Sequence, residues 1–389
     1  MKRTIVTLTL ASMLVGTAIY AAKRNTNTGL VAPVAAVVTP PAVPAKKPQV
    51  DLVIALDTSG SMSGLINAAR QKLWDIVNEV GQADPAPDLR VALLTYGSGG
   101  SEADGFVIVQ SDLTTDIDSI YGKLFALRTS GGTEYVGRVV HRALNELSWS
   151  DDPDTLRQIF VAGNESADQD RTHKVADVMK RARAKDVFVN TIYCGNEGTR
   201  DAISWNTVAK QGNGMFASID HNNGTVAMQS PYDAKLAALS SKLNRTYVGY
   251  GMKGRRAKNN QVKQDKNALS SHSSTAASRA LAKAGGAYNA SGWDLIDARK
   301  TGKLNKIAKA EMPAEVQGFS NEEMDDYLDK KEAERNKLRA EIKTLSSKRK
   351  SYVTKEMKAK GKSEKKSFDY NIRRAVQAQA AAKKIKLKK

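Results

Sequence analysis

The chain has 389 residues, 41% of them hydrophobic, which suffices for one sizeable core with a smaller appendage and excludes a wholly disordered protein. Its net charge of +19 is concentrated near the end: from Lys331 onward there are 21 basic and 6 acidic residues, so basicity bears on the tail rather than on the main domain. A single cysteine, Cys194, excludes any intrachain disulfide, and four scattered histidines beside it offer zinc no evident site.

In chain order, Lys2 and Arg3 precede an apolar stretch from Thr4 to Ala22 that ends in small residues. Residues 1–22 therefore read as an export signal cleaved after Ala21 or Ala22, the alternative being an uncleaved N-terminal anchor of about 19 residues. Residues 23–48 are rich in proline, alanine and valine without helical or alternating period, which predicts an extended linker.

From residue 49 to about 230, short apolar runs alternate with amphipathic segments. VDLVIALD, LRVALLTYG, GFVIVQ, RQIFVAGN and DVFVNTIYCG have buried-strand length. Helices are predicted over GLINAARQKLWDIVNEV, DIDSIYGKLFALR, RVVHRALNELSW and HKVADVMKRARAK, and AISWNTVAKQGNGMFASID closes the series with a helix and a short strand. This alternation predicts an α/β fold with a mostly parallel central sheet flanked by helices, whose ligands sit at the carboxyl ends of the strands. Cys194, after the apolar VFVNTIY, is expected to be buried and inert.

The stretch DTSGS, residues 57–61, then acquires a chemical meaning. Asp57 stands at the carboxyl end of the first strand, with Ser59 and Ser61 on the loop leading into the first helix. A carboxylate and two hydroxyls are hard oxygen donors suited to a small divalent cation such as Mg²⁺. On its own, DTSGS reads equally well as a helix N-cap. The second segment, SGGTE, favours the cation, because Thr133 follows a flexible glycine turn and can complete an oxygen shell from another loop. His141 and His173 are expected on helix surfaces rather than at the cation.

DTSGS with Thr133 downstream resembles the metal-ion-dependent adhesion site (MIDAS) of von Willebrand factor type A domains, a Rossmann-like fold, and the order of strands and helices matches that fold. The resemblance implies Mg²⁺, with Mn²⁺ or Ca²⁺ as the other options, held by Asp57, Ser59, Ser61 and Thr133. One coordination position would be left for an acidic group of a protein partner. The fourth strand departs from the family pattern: Asn164 stands where an aspartate is usual, with Glu165 beside it. An amide oxygen is a weaker ligand than a carboxylate, so weaker metal binding is implied unless Glu165 turns in. Asp168 and Asp170 read as solvated loop acids. The whole chain further resembles exported bacterial proteins with a type A domain and a helical tail, through GNE at 163–165, VNTIYCG at 189–195, SGWDLIDARKTGKLNKI at 291–307 and EMPAEVQGFS at 311–320.

Residues 231–319 read as a mixed, partly helical extension packing on the type A domain, with Trp293, Leu295 and Ile296 docking there. Residues 320–389 read as a basic helical hairpin or coiled-coil tail: Ser320 and Glu323 form a capping-box pattern, and Met324, Leu328, Leu338, Ile342 and Leu345 make a thin apolar stripe. That stripe predicts pairing with NIRRAVQAQAAAKKI or with a partner helix.

The reading favoured by these features is an exported, periplasmic or cell-envelope binding module whose cation engages a carboxylate of a protein partner. The alternative is an envelope scaffold whose basic tail contacts an anionic surface. Nucleic acid is disfavoured, because the tail lacks aromatics interleaved for stacking bases. Catalysis is not predicted, since no nucleophile triad and no phosphate-binding loop ending in GK[ST] occurs.

Overall fold

Strand β1 (Gln49–Asp57) is buried along all but its first residue, as expected of an uninterrupted apolar run covered on both faces. The computed structural model describes residues 47–389 except 65, 82, 84, 220–227, 361–367 and 388–389, so the predicted export segment and nearly all of the linker lie outside the described residues, as does Leu65 of the first amphipathic segment. With β2 (Asp88–Tyr96), β3 (Ile108–Thr114), β4 (Leu156–Gly163), β5 (Val187–Tyr193) and β6 (Asn213–Ser218), β1 forms a six-stranded sheet of order β3-β2-β1-β4-β5-β6. Only the edge strand β3 is antiparallel. The order of strands reverses between β1 and β4, so their adjacent carboxyl ends, Asp57 and Gly163, frame the crevice where such sheets bind ligands.

Alternation along β1 divides the core. Val53 and Ala55 face helices α3 (Val136–Glu146), α4 (Val175–Ala184) and α5 (Arg200–Gln211), with Trp205 fully buried among them. Leu52, Ile54 and Leu56 face α1 (Ile66–Val80) and α2 (Ile117–Ala126). The third helix on this second face is α11 (Phe368–Ala382), contributed by the last segment of the chain. Its Phe368, Ile372, Val376 and Ala380 join the sheet core, and its buried Gln379 accepts from Gln158 of β4 and exchanges hydrogen bonds with Asn190 of β5.

Of the two pairings the apolar stripe predicts for the long helix α10 (Asn321–Ala359), with α11 or with a partner helix, the first is not what the structure shows, since α11 lies on the sheet. The capping box at Ser320 and Glu323 forms as expected. Helix α10 packs on α6 (Asp233–Asn244) and α8 (Ser273–Ala284), with Leu338, Ile342 and Leu345 in a core shared with Leu236, Tyr247 and Trp293. Leu295 and Ile296, on α9 (Leu295–Lys300), pack with Val248, Val316 and Leu328. Expected to dock on the main domain, Trp293, Leu295 and Ile296 are thus used inside the extension's own cores.

Polar contacts tie the extension to the sheet domain. Arg279 of α8 is buried between Asp118 of α2, at 2.7 Å, and Asp265 of α7 (Gly251–Ser271), at 2.5 Å, while the Tyr288 hydroxyl donates to Asp118. A different contact ties α10 to the extension: Arg335 is fully buried, donates to both Asp294 oxygens, and lies over the Tyr247 ring. Among the described residues, no helix is long and apolar enough to cross a membrane.

Candidate metal centre

Asp57 is the last residue of β1, and its backbone continues into a tight turn that aims Ser59 and Ser61 back towards it. The Ser59 N–H donates to Asp57 Oδ1 at 2.7 Å, and the Ser59 and Ser61 hydroxyls lie 2.8 Å apart. Thr58 locks the turn to the neighbouring strand: its N–H and hydroxyl both donate to the Tyr96 carbonyl, and its hydroxyl meets that of Ser98 at 2.8 Å. The loop before α3 is joined by the Ser130 N–H, which donates to the Thr58 carbonyl.

Two glycines permit this approach. At Gly97, with φ +81°, a Cβ would stand 2.5 Å from Asp57 Oδ1, and at Gly132 one would overlap the Gly97 carbonyl. The end of β4 is fixed from below. The buried Tyr96 hydroxyl donates to the Ala162 carbonyl at 2.8 Å, and Trp205 Nε1 donates to the Glu165 carbonyl at 2.6 Å. Burial first, then the nearby Asp57 and Glu134, push the Tyr96 phenol well above its usual range, so it remains a donor.

The side chains so positioned form one cluster. Ser59 Oγ donates to Glu134 Oε1 at 2.8 Å, and Ser61 Oγ stands 3.3 Å from Glu134 Oε1 and 3.1 Å from Asn164 Oδ1. The Glu165 N–H reaches Glu134 Oε2 at 3.3 Å. Asp57, Ser59 and Glu134 are buried, whereas Ser61 is exposed and Asn164 half-buried, so the cluster opens to solvent at one side.

Of the six residues expected here, Asp57, Ser59, Ser61 and Asn164 come together. Thr133 is half-buried, and among the described residues its hydroxyl makes no hydrogen bond. Glu165 is exposed, its carboxylate accepting from Gln169, and only its backbone joins the cluster. Glu134 is the member that sequence reasoning passed over. It follows Thr133 directly in SGGTE, and a loop that can present one side chain can equally present its neighbour.

The other expected loop acids stand aside. Asp168 is exposed and accepts from Ser166, whereas Asp170, expected to be solvated, is buried in a salt bridge with Arg138 at 3.0 Å. His141 and His173 pair with each other, ring centroids 4.4 Å apart. Cys194 is buried, and burial raises its thiol well above the usual range.

The cluster fits a hard cation. Five oxygen-bearing groups converge, two of them carboxylates, and fully buried Asp57 leaves Oδ2 without an N–H or hydroxyl donor among the described residues. Burial and the adjacent Glu134 push the Asp57 carboxyl up to about 9. Without a cation, Asp57 keeps its proton through the neutral range. Among the described residues, no group of three histidine, cysteine or acidic side chains that could hold a metal occurs, so only a site built largely of neutral oxygens is at issue.

The family model of the von Willebrand factor type A domain matches residues 51–234. Solved structures similar to the chain include the conserved hypothetical protein BatB from Bacteroides thetaiotaomicron, at 19% identity over 45% of this chain and 92% of that one, with a TM-score of 0.35. A von Willebrand factor type A protein from Catenulispora acidiphila shows 15% identity over 44% of this chain and 39% of that one, TM-score 0.35. Proximal thread matrix protein 1 from the mussel byssus, with a zinc-occupied MIDAS motif, shows 14% identity over 45% and 43%, TM-score 0.36. No curated protein matches the chain.

Proposed function

Since residues 51–234 match the family model of the von Willebrand factor type A domain, we propose that the protein is an exported binding module that engages an acidic group of a protein partner through a divalent cation. The observation that carries this reading is Asp57 Oδ2, buried and without an N–H or hydroxyl donor among the described residues, in a cluster of hard oxygens. Asp57, Ser59, Ser61 and Asn164 would hold the ion, Mg²⁺ before Mn²⁺ or Ca²⁺. Thr133 joins from the rim, its hydroxyl making no hydrogen bond among the described residues, and the Glu165 backbone N–H donates to the Glu134 carboxylate beside the ion. When bound, the cation supplies a positive charge at the solvent-facing side, beside Ser61 and Asn164, where a partner's carboxylate would meet it. The signal-like residues 1–22 support export to the periplasm or cell envelope. Binding rather than catalysis is proposed, since the hard oxygens converge as ligands for a cation.

Calorimetric titration of MgCl₂ and MnCl₂ into the metal-stripped full chain tests the reading, with Asp57→Ala alongside. Saturable heat that disappears in the variant, with retention on an immobilised glutamate-rich peptide in Mg²⁺ but not in EDTA, is the expected result. Absence of saturable heat in the wild type overturns it.

A second reading has its own observation. Lys348, Lys355 and Lys358 line an open groove along the last turns of α10, beside Ser351 and Tyr232, with volumes of about 420 and 440 Å³ in its two adjoining parts. Such a groove suits an anionic envelope surface, and its binding to anionic vesicles would fall steeply with salt. Neutralising the three lysines should abolish that binding while Asp57→Ala leaves it intact.

A further inference from the structure

We propose that Glu134 is itself a ligand of the cation and supplies the second negative charge that Asn164 cannot. This rests on the reading of Asp57, Ser59 and Ser61 as a cation site and adds to it a residue that the DTSGS pattern does not contain. The fourth-strand loop, where a carboxylate is expected, presents an amide at Asn164 and turns Glu165 outward to Gln169. Glu134 reaches across to fill that place. Its Oε1 accepts from Ser59 and Ser61, and its Oε2 accepts from the Glu165 N–H, so one carboxylate bridges the first loop and the fourth-strand loop.

The side chain is 1% exposed, which is costly for an acid with no cationic partner, and among the described residues no lysine or arginine bridges to it or to Asp57. A second observation points the same way: Asp57 Oδ2, on a residue with no exposure, accepts from no N–H or hydroxyl among the described residues. One divalent ion would satisfy both buried acids together and leave each of them charged, whereas the described residues offer only a proton shared between the two carboxyls. The carboxylate has changed loops, and the site keeps two negative charges.

The experiment is thermal denaturation of the metal-stripped full chain with and without MgCl₂ or MnCl₂, comparing wild type, Glu134→Gln, Glu165→Gln and Asp57→Asn. At cation concentrations of about 100 Kd the wild type and Glu165→Gln should gain about 4 °C. Glu134→Gln should lose this gain as fully as Asp57→Asn does, while its metal-free midpoint equals or exceeds that of the wild type. That last readout separates a lost ligand from a damaged fold, because the glutamine amide keeps the size of the side chain and removes its charge. Equal cation stabilisation of Glu134→Gln and wild type overturns the role of Glu134 alone. Absence of stabilisation in the wild type overturns both this inference and the metal-dependent function.

Discussion

Asp57 and Glu134 stand carboxyl beside carboxyl at the end of β1, with the Ser59 hydroxyl donating to Glu134 and the Ser59 N–H to Asp57. Burial, reinforced by Glu134, raises the Asp57 carboxyl from 3.8 to about 9. A raised folded value means that the native state binds more protons than the unfolded chain between those limits. Metal-free stability is therefore highest below about pH 4 as far as this group is concerned, and falls as pH rises towards 9, by about 1.4 kcal/mol per pH unit. Asp57→Asn mimics the protonated acid and should remove that slope, about 2 °C of melting temperature per pH unit for a unit of this size. Denaturation scans in EDTA from pH 5 to 8 check this; parallel wild-type and variant slopes would refute it.

Gly97 has the most restrictive backbone in the site. Its φ of +81° already disfavours a side chain, and a Cβ would press on Asp57 Oδ1 at 2.5 Å. Gly97→Ala should cost about 1–3 kcal/mol and abolish cation stabilisation together, because the strain falls on the carboxylate itself. Gly131→Ala is the control, since a Cβ there meets nothing within 4 Å. A Gly97→Ala protein with the wild-type Mg²⁺ response would show that Asp57 is not at the cation.

Much of this site is legible in the sequence, for identifiable reasons. Strand-length runs such as VDLVIALD reveal β1 because both its faces are buried, and DTSGS follows at the strand's carboxyl end, where the topology places ligands. Glu134 is not legible in the same way. SGGTE brings a hydroxyl and a carboxylate to one turn, and only the tertiary contact with Ser59 and the Glu165 N–H decides which points inward. The destination of α11 is hidden for a related reason: the spacing of Phe368, Ile372 and Val376 marks an apolar face without naming its partner. The Gln379 contact with Gln158 and Asn190 joins residues far apart in the chain, beyond the reach of any local pattern.

Arg335 pins α10 to the extension. It is fully buried, and so is Asp294, which holds it at 2.8 Å. Arg335→Ala would leave the Asp294 carboxylate buried without its cation, a loss of about 3–5 kcal/mol. Arg335→Met combined with Asp294→Asn removes both charges and should recover a large part of that loss. Urea midpoints of the two variants measure the difference. If the single and double variants were equally unstable, packing rather than the charge pair would be what holds α10.

Helix α11 closes one face of the sheet, so its removal should act on the fold rather than on a detached tail. A chain ending at Lys360 would expose the core around Ile54, Phe160 and Ile192 that Phe368, Ile372 and Val376 cover. It would also leave Gln158 and Asn190 without Gln379. Burial of the three apolar side chains alone contributes roughly 1.5–3 kcal/mol each. The truncated protein should melt at least 5 °C lower, on the scale expected for several kcal/mol in a unit of this size, and bind an apolar dye in its native state. Phe368→Ala in the full chain should lose about 3–5 kcal/mol through the cavity it leaves. A truncated chain whose melting temperature matched the wild type would mean that α11 does not hold the sheet, and a short fragment would then suffice to study the cation site.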